Sequence, residues 1–164
     1  MSISKKIVQK FKDGDSDATA IIFEEYKNLL YFIIATYISN PNDCDDLLSE
    51  TFLKAMEHRS ELIELANIKS FLSTIAKNEA LKFLRKNKTM SLDNIEEIYG
   101  QNDKGNVLLD LFGPLLTNKE TIVLYYKAVF SYTWDEIKLE TGIPQSSAKK
   151  IYKQAKEKLR KELL

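Results

Sequence analysis

A row of basic side chains near the C-terminus is the feature of this chain best suited to chemistry with a partner. Lys149, Lys153, Lys156 and Arg160 follow one another at spacings of four, three and four residues, so a helix carries them as one stripe. Residues 145–164 hold seven basic and two acidic side chains, a net charge of +5. Such a stripe favours contact with the phosphates of a nucleic acid.

The segment before this stripe has the parts of a helix-turn-helix. Thr133 and Glu136 have the spacing of a capping box, which opens a short helix that ends near Gly142. Pro144 then stands where the last helix begins. Short polar side chains in its first turn can approach base edges in the major groove, while lysines contact phosphates. The residues predicted to bind duplex DNA are Gln145, Ser146, Ser147, Lys149, Lys150, Lys153 and Lys156. The alternative is a solvated lysine face on an ordinary bundle helix.

Two earlier segments carry opposite charges. Residues 43–64 hold seven acidic and two basic side chains, a net of −5, and residues 69–88 hold six basic and one acidic, a net of +5. The whole chain has a formal net charge of zero, so the charged patches cancel in the total but are still presented separately to partners. Four acidic positions share one outer face of a predicted helix: Asp43, Asp46, Glu50 and Glu57. On composition alone, two ordinary amphipathic bundle helices account for the same pattern.

Apolar residues recur at helical spacing along most of the chain, and five Gly and three Pro are too few for an all-β protein. The periodicity predicts helices over 3–12, 17–38, 42–59, 69–87, 117–130, 133–141 and 144–164. Residues 89–106 lack the periodicity and are rich in Asn, Asp and Gly, which is typical of a linker. We therefore predict an all-α protein with two small helical domains, residues 1–88 and 107–164, joined by this flexible linker. The first is a bundle of about four helices and the second a helix-turn-helix.

The sequence offers little for catalysis or metal binding. Cys44 and His58 are the single cysteine and histidine, and no glycine-rich phosphate loop is present, so we expect no enzyme, metal or cofactor. Cys44 is predicted to be a packing residue, and His58 a surface residue near a helix C-terminus. The longest apolar run, residues 29–38, is too short to span a bilayer, and the N-terminus lacks the apolar core of a signal peptide. We expect a cytoplasmic protein without membrane insertion.

Two stretches in the first half resemble region two of bacterial RNA polymerase sigma factors of the extracytoplasmic-function type. Residues 43–52, DCDDLLSETF, resemble the family's DAEDLVQEVF. Residues 71–78, FLSTIAKN, followed by LRK at 84–86, resemble its WLYRIARN and LRR. Ser73 and Thr74 depart from this pattern, because relatives often have an aromatic residue and an arginine there.

The second half resembles region four of the same family. TWDEI at 133–137, GIP at 142–144 and AK at 148–149 resemble SYEEIA, LGIP and VK, and the resemblance as a whole covers roughly residues 17–88 and 107–163 in the family's order. Lys138 replaces a usual alanine in the first helix of the motif, and Glu140 and Thr141 replace apolar residues. We therefore expect the packing of that helix to be shifted by one face.

The resemblance implies an alternative sigma factor, which binds core RNA polymerase, directs it to specific promoters and helps to melt the minus-ten element. The residues implied to bind the coiled coil of the largest polymerase subunit are Asp43, Asp46, Leu47 and Glu50. Those implied to hold the single-stranded, non-template minus-ten element are Asn67, Lys77, Asn78, Lys82 and Arg85. The helix-turn-helix is implied to bind the minus-thirty-five element as duplex, and an anti-sigma factor is a further implied partner. Two alternatives stay open: a stand-alone helix-turn-helix regulator, and a helical protein-interaction module without DNA binding.

Overall fold

The computed structural model describes residues 3–87 and 115–163, and all regular elements in these two ranges are helical. The predicted all-α class is therefore confirmed. The chain divides into two compact units, Met1–Asn94 and Ile95–Leu164. The linker predicted at 89–106 lies outside the described residues, as does the start of the second predicted domain.

Four α-helices make up the described part of the first unit: α1 (Lys5–Lys12), α2 (Ser16–Ala35), α3 (Pro41–Glu57) and α4 (Ile68–Asn87). Their number and order agree with the prediction. The segment between α3 and α4, predicted to be irregular, contains two single 3₁₀ turns at Arg59–Glu61 and Leu65–Asn67. These turns give the connecting loop a fixed path across one end of α3 and α4.

Polar caps determine where these helices begin. The Asp15 carboxylate accepts the N–H of Ala18 at 2.8 Å before α2, and the Asn40 side chain accepts the N–H of Asn42 at 2.9 Å before α3. Helix α3 begins at Pro41, one residue before the predicted start at 42. Pro41 has no N–H to lose and a φ suited to the first helical position, so the helix begins there and Asn40 caps it.

The core of the first unit lies around α2, which packs against the other three helices. Its fully buried side chains include Ile22, Leu30, Ile33 and Ile34. In α1, Val8 and Phe11 are buried and Ile7 is half-buried. The inward positions of α3 are filled by Cys44, Leu47, Thr51, Phe52 and Ala55, while Leu48 and Met56 are half-buried.

The second unit contains α5 (Asn118–Leu124), a π-helical turn at Tyr125–Val129, α6 (Trp134–Thr141) and α7 (Gln145–Leu163). The sequence pattern predicted one helix from 117 to 130, whereas the structure widens its second half into the π turn. Tyr132 then returns beneath this turn, its N–H donating to the Tyr126 carbonyl at 2.8 Å with the two rings 4.7 Å apart. The contact between the rings of Tyr126 and Tyr132 therefore accompanies the π turn, and regular helical spacing did not predict it.

The capping box predicted at Thr133 is present, and α5 begins with a second one. In α5 the Glu120 N–H donates to the Thr117 hydroxyl at 3.3 Å, and the Thr117 N–H donates to the Glu120 carboxylate at 2.9 Å. The corresponding distances between Thr133 and Glu136 in α6 are 3.2 and 2.7 Å. These boxes satisfy N–H groups at each helix start. Helix α7 packs against both α5 and α6, with Leu116, Leu124 and Ala155 buried together.

Gly142 ends α6 in the left-handed conformation, with a φ of +73°, and its N–H donates to the Lys138 carbonyl at 2.8 Å. A Cβ added at this position meets nothing within 4 Å, so a substitution costs only backbone energy. We expect Gly142→Ala to lower the free energy of unfolding of this unit by about 1 kcal/mol, and Gly142→Asn by less, because Asn tolerates this conformation. Urea denaturation measures both changes. Equal stability of all three proteins would contradict the assigned turn.

An ion pair between buried Glu120 and half-exposed Lys158 joins α5 to α7. Glu120, whose side chain is 8% exposed, accepts from the Lys158 ammonium at 2.9 Å. Burial alone raises the pKa of Glu120, but hydrogen bonds from Lys158 and Thr117, with the positive charge of Lys158, outweigh it and hold the pKa below its ordinary value. The carboxylate is therefore better stabilised in the folded unit than in the unfolded chain.

This lowered pKa predicts a pH dependence of stability. The stabilisation from Glu120 is fully present above the ordinary carboxyl pKa of 4.5 and is lost as the pH falls through the lowered native value. Glu120→Gln keeps the capping box but removes the charge. We expect the variant to be less stable than the wild type at neutral pH, by up to about 1 kcal/mol since Lys158 is half exposed, and the difference to vanish in acid. Urea titrations at several pH values measure it; a difference that persists in acid would show another cause.

Candidate nucleic-acid interface

The outer surface of α3 carries an acidic face, which we define as Asp43, Asp46, Glu50 and Glu57. Asp46 is exposed, and the Glu50 and Glu57 side chains are 45% and 61% exposed. The Lys54 ammonium lies at the edge of this face, 3.4 Å from Glu57 and 4.0 Å from Glu50. The carboxylates are thus open to a partner, with one lysine drawn towards them.

An exposed leucine lies beside these carboxylates. Leu53 is 52% exposed and follows Asp46 by seven residues, or two helical turns, so the two side chains share a side of α3. The family resemblance implied the apolar contact for Leu47, but Leu47 is only 7% exposed and packs into the core. Leu47 therefore has little surface to offer a partner, and Leu53 is the accessible apolar side chain. Its spacing from Asp46 could have indicated this from the sequence.

Cys44 holds the start of α3 against the core. It is fully buried, and its thiol lies 3.4 Å from the carbonyl oxygen of Ile38. Burial raises the pKa of the Cys44 thiol to about 11, with Asp45 and Asp43 adding to the effect. The thiol stays protonated at neutral pH, as expected of a packing residue.

A groove of about 650 Å³ lies where the end of α3, the connecting loop and the first half of α4 meet. It brings together Asn67 and Asn78, which are 11 residues apart and were both predicted to contact single-stranded DNA. Phe71 and Ile75 also line it, and both are half-buried. The groove thus combines amide groups with apolar surface, which is the usual composition of a small-molecule or base pocket.

The loop above the groove is fixed at several points. Leu62 is buried with 2% exposure, whereas the next residue, Ile63, is 86% exposed. His58, at the end of α3, lies with Nδ1 2.8 Å from the Glu61 carboxylate, and the Asn67 amide donates to Glu64 at 3.3 Å. The loop therefore presents one apolar side chain to solvent from an anchored backbone. The family resemblance implied the loop 60–68 as a whole for the minus-ten element, but of its residues it named only Asn67 and not Ile63, Glu61 or Glu64.

The cationic residues predicted for single-stranded DNA lie further along α4. Lys82 and Arg85 are exposed and follow Asn78 by four and seven residues, so they continue its face of the helix. Lys77 is half-buried and lies one helical step away from that face. Ser73 is 1% exposed, so the position at which the family pattern has an aromatic residue lies in the core here. Thr74 is exposed and its hydroxyl donates to the Ser70 carbonyl at 2.9 Å.

In the second unit, α6 and α7 form the predicted helix-turn-helix, and the basic stripe of α7 is exposed along its length. The exposed residues of the predicted set are Ser146, Ser147, Lys149, Lys150, Lys153 and Lys156. Gln145 is half-buried and its amide donates to the Asp135 carboxylate of α6, a contact that the sequence did not suggest. The Lys156 ammonium lies 4.7 Å from the centre of the Tyr152 ring. The structure thus presents an uninterrupted donor surface along one side of α7.

The three residues of α6 that depart from the family pattern lie outside its fully buried positions. Ile137 is fully buried and Trp134 packs edge-on against Tyr152 at 5.7 Å, while Lys138 is exposed and Glu140 and Thr141 are half-buried. Leu139 is left 79% exposed. Helix α6 is thus held by few apolar contacts, and its polar replacements remain at the surface.

Within residues 3–87 and 115–163, no cluster of three or more His, Cys, Asp or Glu residues is arranged to hold a metal ion. None of the helices in the described ranges has the length and hydropathy needed to cross a membrane.

Sequence comparison finds a family match over the residues that form these surfaces of the first unit. Residues 22–89, which contain the acidic face, the groove and all of α4, match the family model of sigma-70 region 2. The chain is also 29% identical over 84 residues to the ECF RNA polymerase sigma factor SigW of Bacillus subtilis strain 168. Over residues 22–89 the chain is thus similar to region 2 of the sigma-70 family. The match to SigW covers 51% of this chain and 45% of that relative, so it spans less than half the length of that relative.

Solved structures resemble the fold of this chain. One chain, from the structure of CnrH in complex with the cytosolic domain of CnrY, has a TM-score of 0.58 at 15% identity and covers 97% of this chain and 96% of its own length. A second, from the RsbN–BldN complex, has a TM-score of 0.44 at 20% identity, covering 96% and 99%. The first likeness supports the helical fold. The sigma factor family is not a class of enzymes.

Proposed function

We propose that this chain is a dissociable initiation subunit, which binds core RNA polymerase, carries it to particular promoters and helps to open them. The observation that carries this proposal is the groove at the α3–α4 end, which lies inside the region-two match. It joins an anchored loop, two asparagines and apolar surface next to exposed cations on α4. This combination suits single-stranded DNA, because an unpaired base contacts apolar and amide groups while the phosphate backbone contacts positive charges.

The acidic face of α3 is the proposed polymerase contact. Asp46 and Glu50, with Asp43 at the same side, suit a basic helical partner, and exposed Leu53 adds apolar surface among the charges. This arrangement fits the coiled coil that the family resemblance implies. Leu47 supports the face from beneath rather than contacting the partner.

Promoter opening needs no cofactor in this proposal. A surface that binds strand-separated DNA more tightly than duplex shifts the equilibrium towards the open state by the difference in affinity. Lys77, Lys82 and Arg85 neutralise the strand, and Asn67 and Asn78 contact an extruded base. The helix-turn-helix holds the duplex upstream, with lysines on phosphates and the first turn of α7 on base edges.

We propose the same division along the chain: residues 1–88 for polymerase and the minus-ten element, 107–164 for the minus-thirty-five element, and 89–106 as linker. This activity belongs in the cytoplasm, where the polymerase acts. An anti-sigma factor is a further proposed partner. In support, a similar fold is described in complex with the cytosolic domain of CnrY.

A gel-shift experiment separates this proposal from its alternatives. We expect weak binding of promoter DNA by the chain alone and tight binding once core polymerase is added. Tight binding without polymerase, with preference for a palindrome, would instead indicate a stand-alone regulator. If the basic faces contact about 4–6 phosphates, log K should fall with log salt at a slope near −4 to −5. No salt-dependent DNA affinity with or without polymerase would indicate a protein-interaction module.

A further inference from the structure

The start of α7 is held in a fixed place relative to α6 by the turn between the two helices. Gly142 ends α6, and the Thr141 hydroxyl donates to the Ile137 carbonyl at 2.6 Å and accepts the Ile143 N–H at 3.2 Å. The two helices pack against each other, and Ile137 and Ala148 are both fully buried. This packing fixes the separation between the first turns of α6 and α7.

A hydrogen bond joins these two first turns. Gln145 is the first residue of α7 and is half-buried, whereas Asp135 lies in the first turn of α6 and is exposed. The Gln145 amide nitrogen donates to the Asp135 carboxylate. An ionised carboxylate only accepts hydrogen bonds, whereas an amide has a donating end and an accepting end. The pairing therefore permits one orientation of the Gln145 amide, with its nitrogen towards α6.

In this orientation the Gln145 amide keeps its carbonyl oxygen and the second of its N–H groups for a ligand. A neighbouring acceptor and donor match adenine in the major groove, because N6 of adenine donates and N7 accepts. Guanine presents two acceptors there, cytosine a donor alone, and thymine an acceptor beside its methyl group. Each of these three bases leaves one group of the amide without a bond. A fixed Gln145 is therefore suited to adenine.

We propose that Asp135 is a positioning residue, which holds the Gln145 amide so that Gln145 reads adenine at one base pair of the duplex bound by α7. The inference rests on the proposed function and adds the source of its base specificity. In a helix-turn-helix the first residues of the second helix contact base edges, while the first helix crosses the DNA backbone. The charge of Asp135 then lies near phosphates and opposes binding, so its contribution to recognition is the orientation of Gln145. A glutamine without this partner loses more side-chain freedom on binding and can present either end of its amide.

The test uses a promoter fragment whose start site depends on the chain, with about ten base pairs randomised around the minus-thirty-five position. Holoenzyme, made from the full chain and core polymerase, selects bound duplexes from this pool, and sequencing gives the relative affinity for each base at each position. We expect the wild type to prefer adenine about tenfold at one position. Gln145→Ala should lose the preference at that position alone.

Asp135→Asn gives a signature that misfolding cannot produce. Asparagine donates as well as accepts, so it can hold the Gln145 amide in either orientation, and the adenine preference at the same position should fall to within about threefold. The pool as a whole should bind at least as tightly as to the wild type, because a negative charge near the phosphates is lost. The control Glu162→Gln removes the same charge from an exposed carboxylate at the other end of α7 and should keep the roughly tenfold preference.

Three results would overturn the inference alone. They are an undiminished adenine preference in Asp135→Asn, a wild-type element without an adenine position that depends on Gln145, and an equal loss of preference at all positions in Asp135→Asn. The third is expected if Asp135 only stabilises the start of α6 with its negative charge. If the wild type selects no base at any randomised position, the proposed minus-thirty-five contact of α7 fails as well.

Discussion

Replacing Asp46 and Glu50 together by lysine is expected to weaken the binding of core RNA polymerase by about 100-fold or more. Both carboxylates lie on the acidic face of α3, and neither residue belongs to the hydrophobic core of the first unit. The double change places two positive charges where a basic partner is proposed to dock, and juxtaposed like charges cost several kcal/mol. Titration of the labelled chain with core polymerase measures the dissociation constant directly.

A matched control separates this effect from a general change in charge. Glu24→Lys with Glu25→Lys makes the same charge change on exposed residues of α2, in the same unit. We expect this pair to bind polymerase within about threefold of the wild type, because exposed charges away from the contact are screened. Equal losses in the two double variants would mean that the acidic face of α3 has no special role.

Replacing Lys149 and Lys153 by alanine is expected to weaken binding of the minus-thirty-five element roughly tenfold at low salt, and to leave polymerase binding intact. Both ammonium groups lie on the exposed stripe of α7. Removing one lysine–phosphate interaction lowers the steepness of the salt dependence by about 0.9, so the slope of log K against log salt should change by about 2. Anisotropy titrations of holoenzyme with duplex DNA at several salt concentrations measure both quantities.

The control for this pair is Lys119→Ala with Lys161→Ala, which removes the same charge from exposed positions of the second unit outside the stripe. We expect its salt slope to change by less than about 1. If the α3 pair and the α7 pair impaired the same step to the same extent, the division of labour between the two units would be wrong.

The helices were predictable because the residues that begin and end each helix lie close together in the sequence. The capping boxes at Thr117 and Thr133 and the glycine turn at Gly142 each depend on residues within a few positions of one another. The start of α3 was predicted to within one residue, at 42 instead of Pro41. The π turn at Tyr125–Val129 was missed because it involves the later packing of Tyr132.

The groove was predictable only in part, for a different reason. Asn67 and Asn78 were assigned through the family resemblance, but the acidic lining depends on how the loop lies across α4. The spacing of apolar residues predicts which face of a helix is buried, but it does not predict the path of a loop between two helices. Leu47 shows a different limit: its apolar spacing predicts the burial that the structure shows, whereas the family resemblance implied a partner contact.

Run-off transcription on a library of genomic fragments tests the central claim most directly. Core polymerase alone and core polymerase with this chain are supplied with the same fragments, and the 5′ ends of the transcripts are mapped. We predict a limited set of discrete start sites that depends on the chain, with a shared sequence at two positions upstream. Transcripts with the same start sites and yields in both reactions, despite binding of the chain to polymerase, would contradict the account.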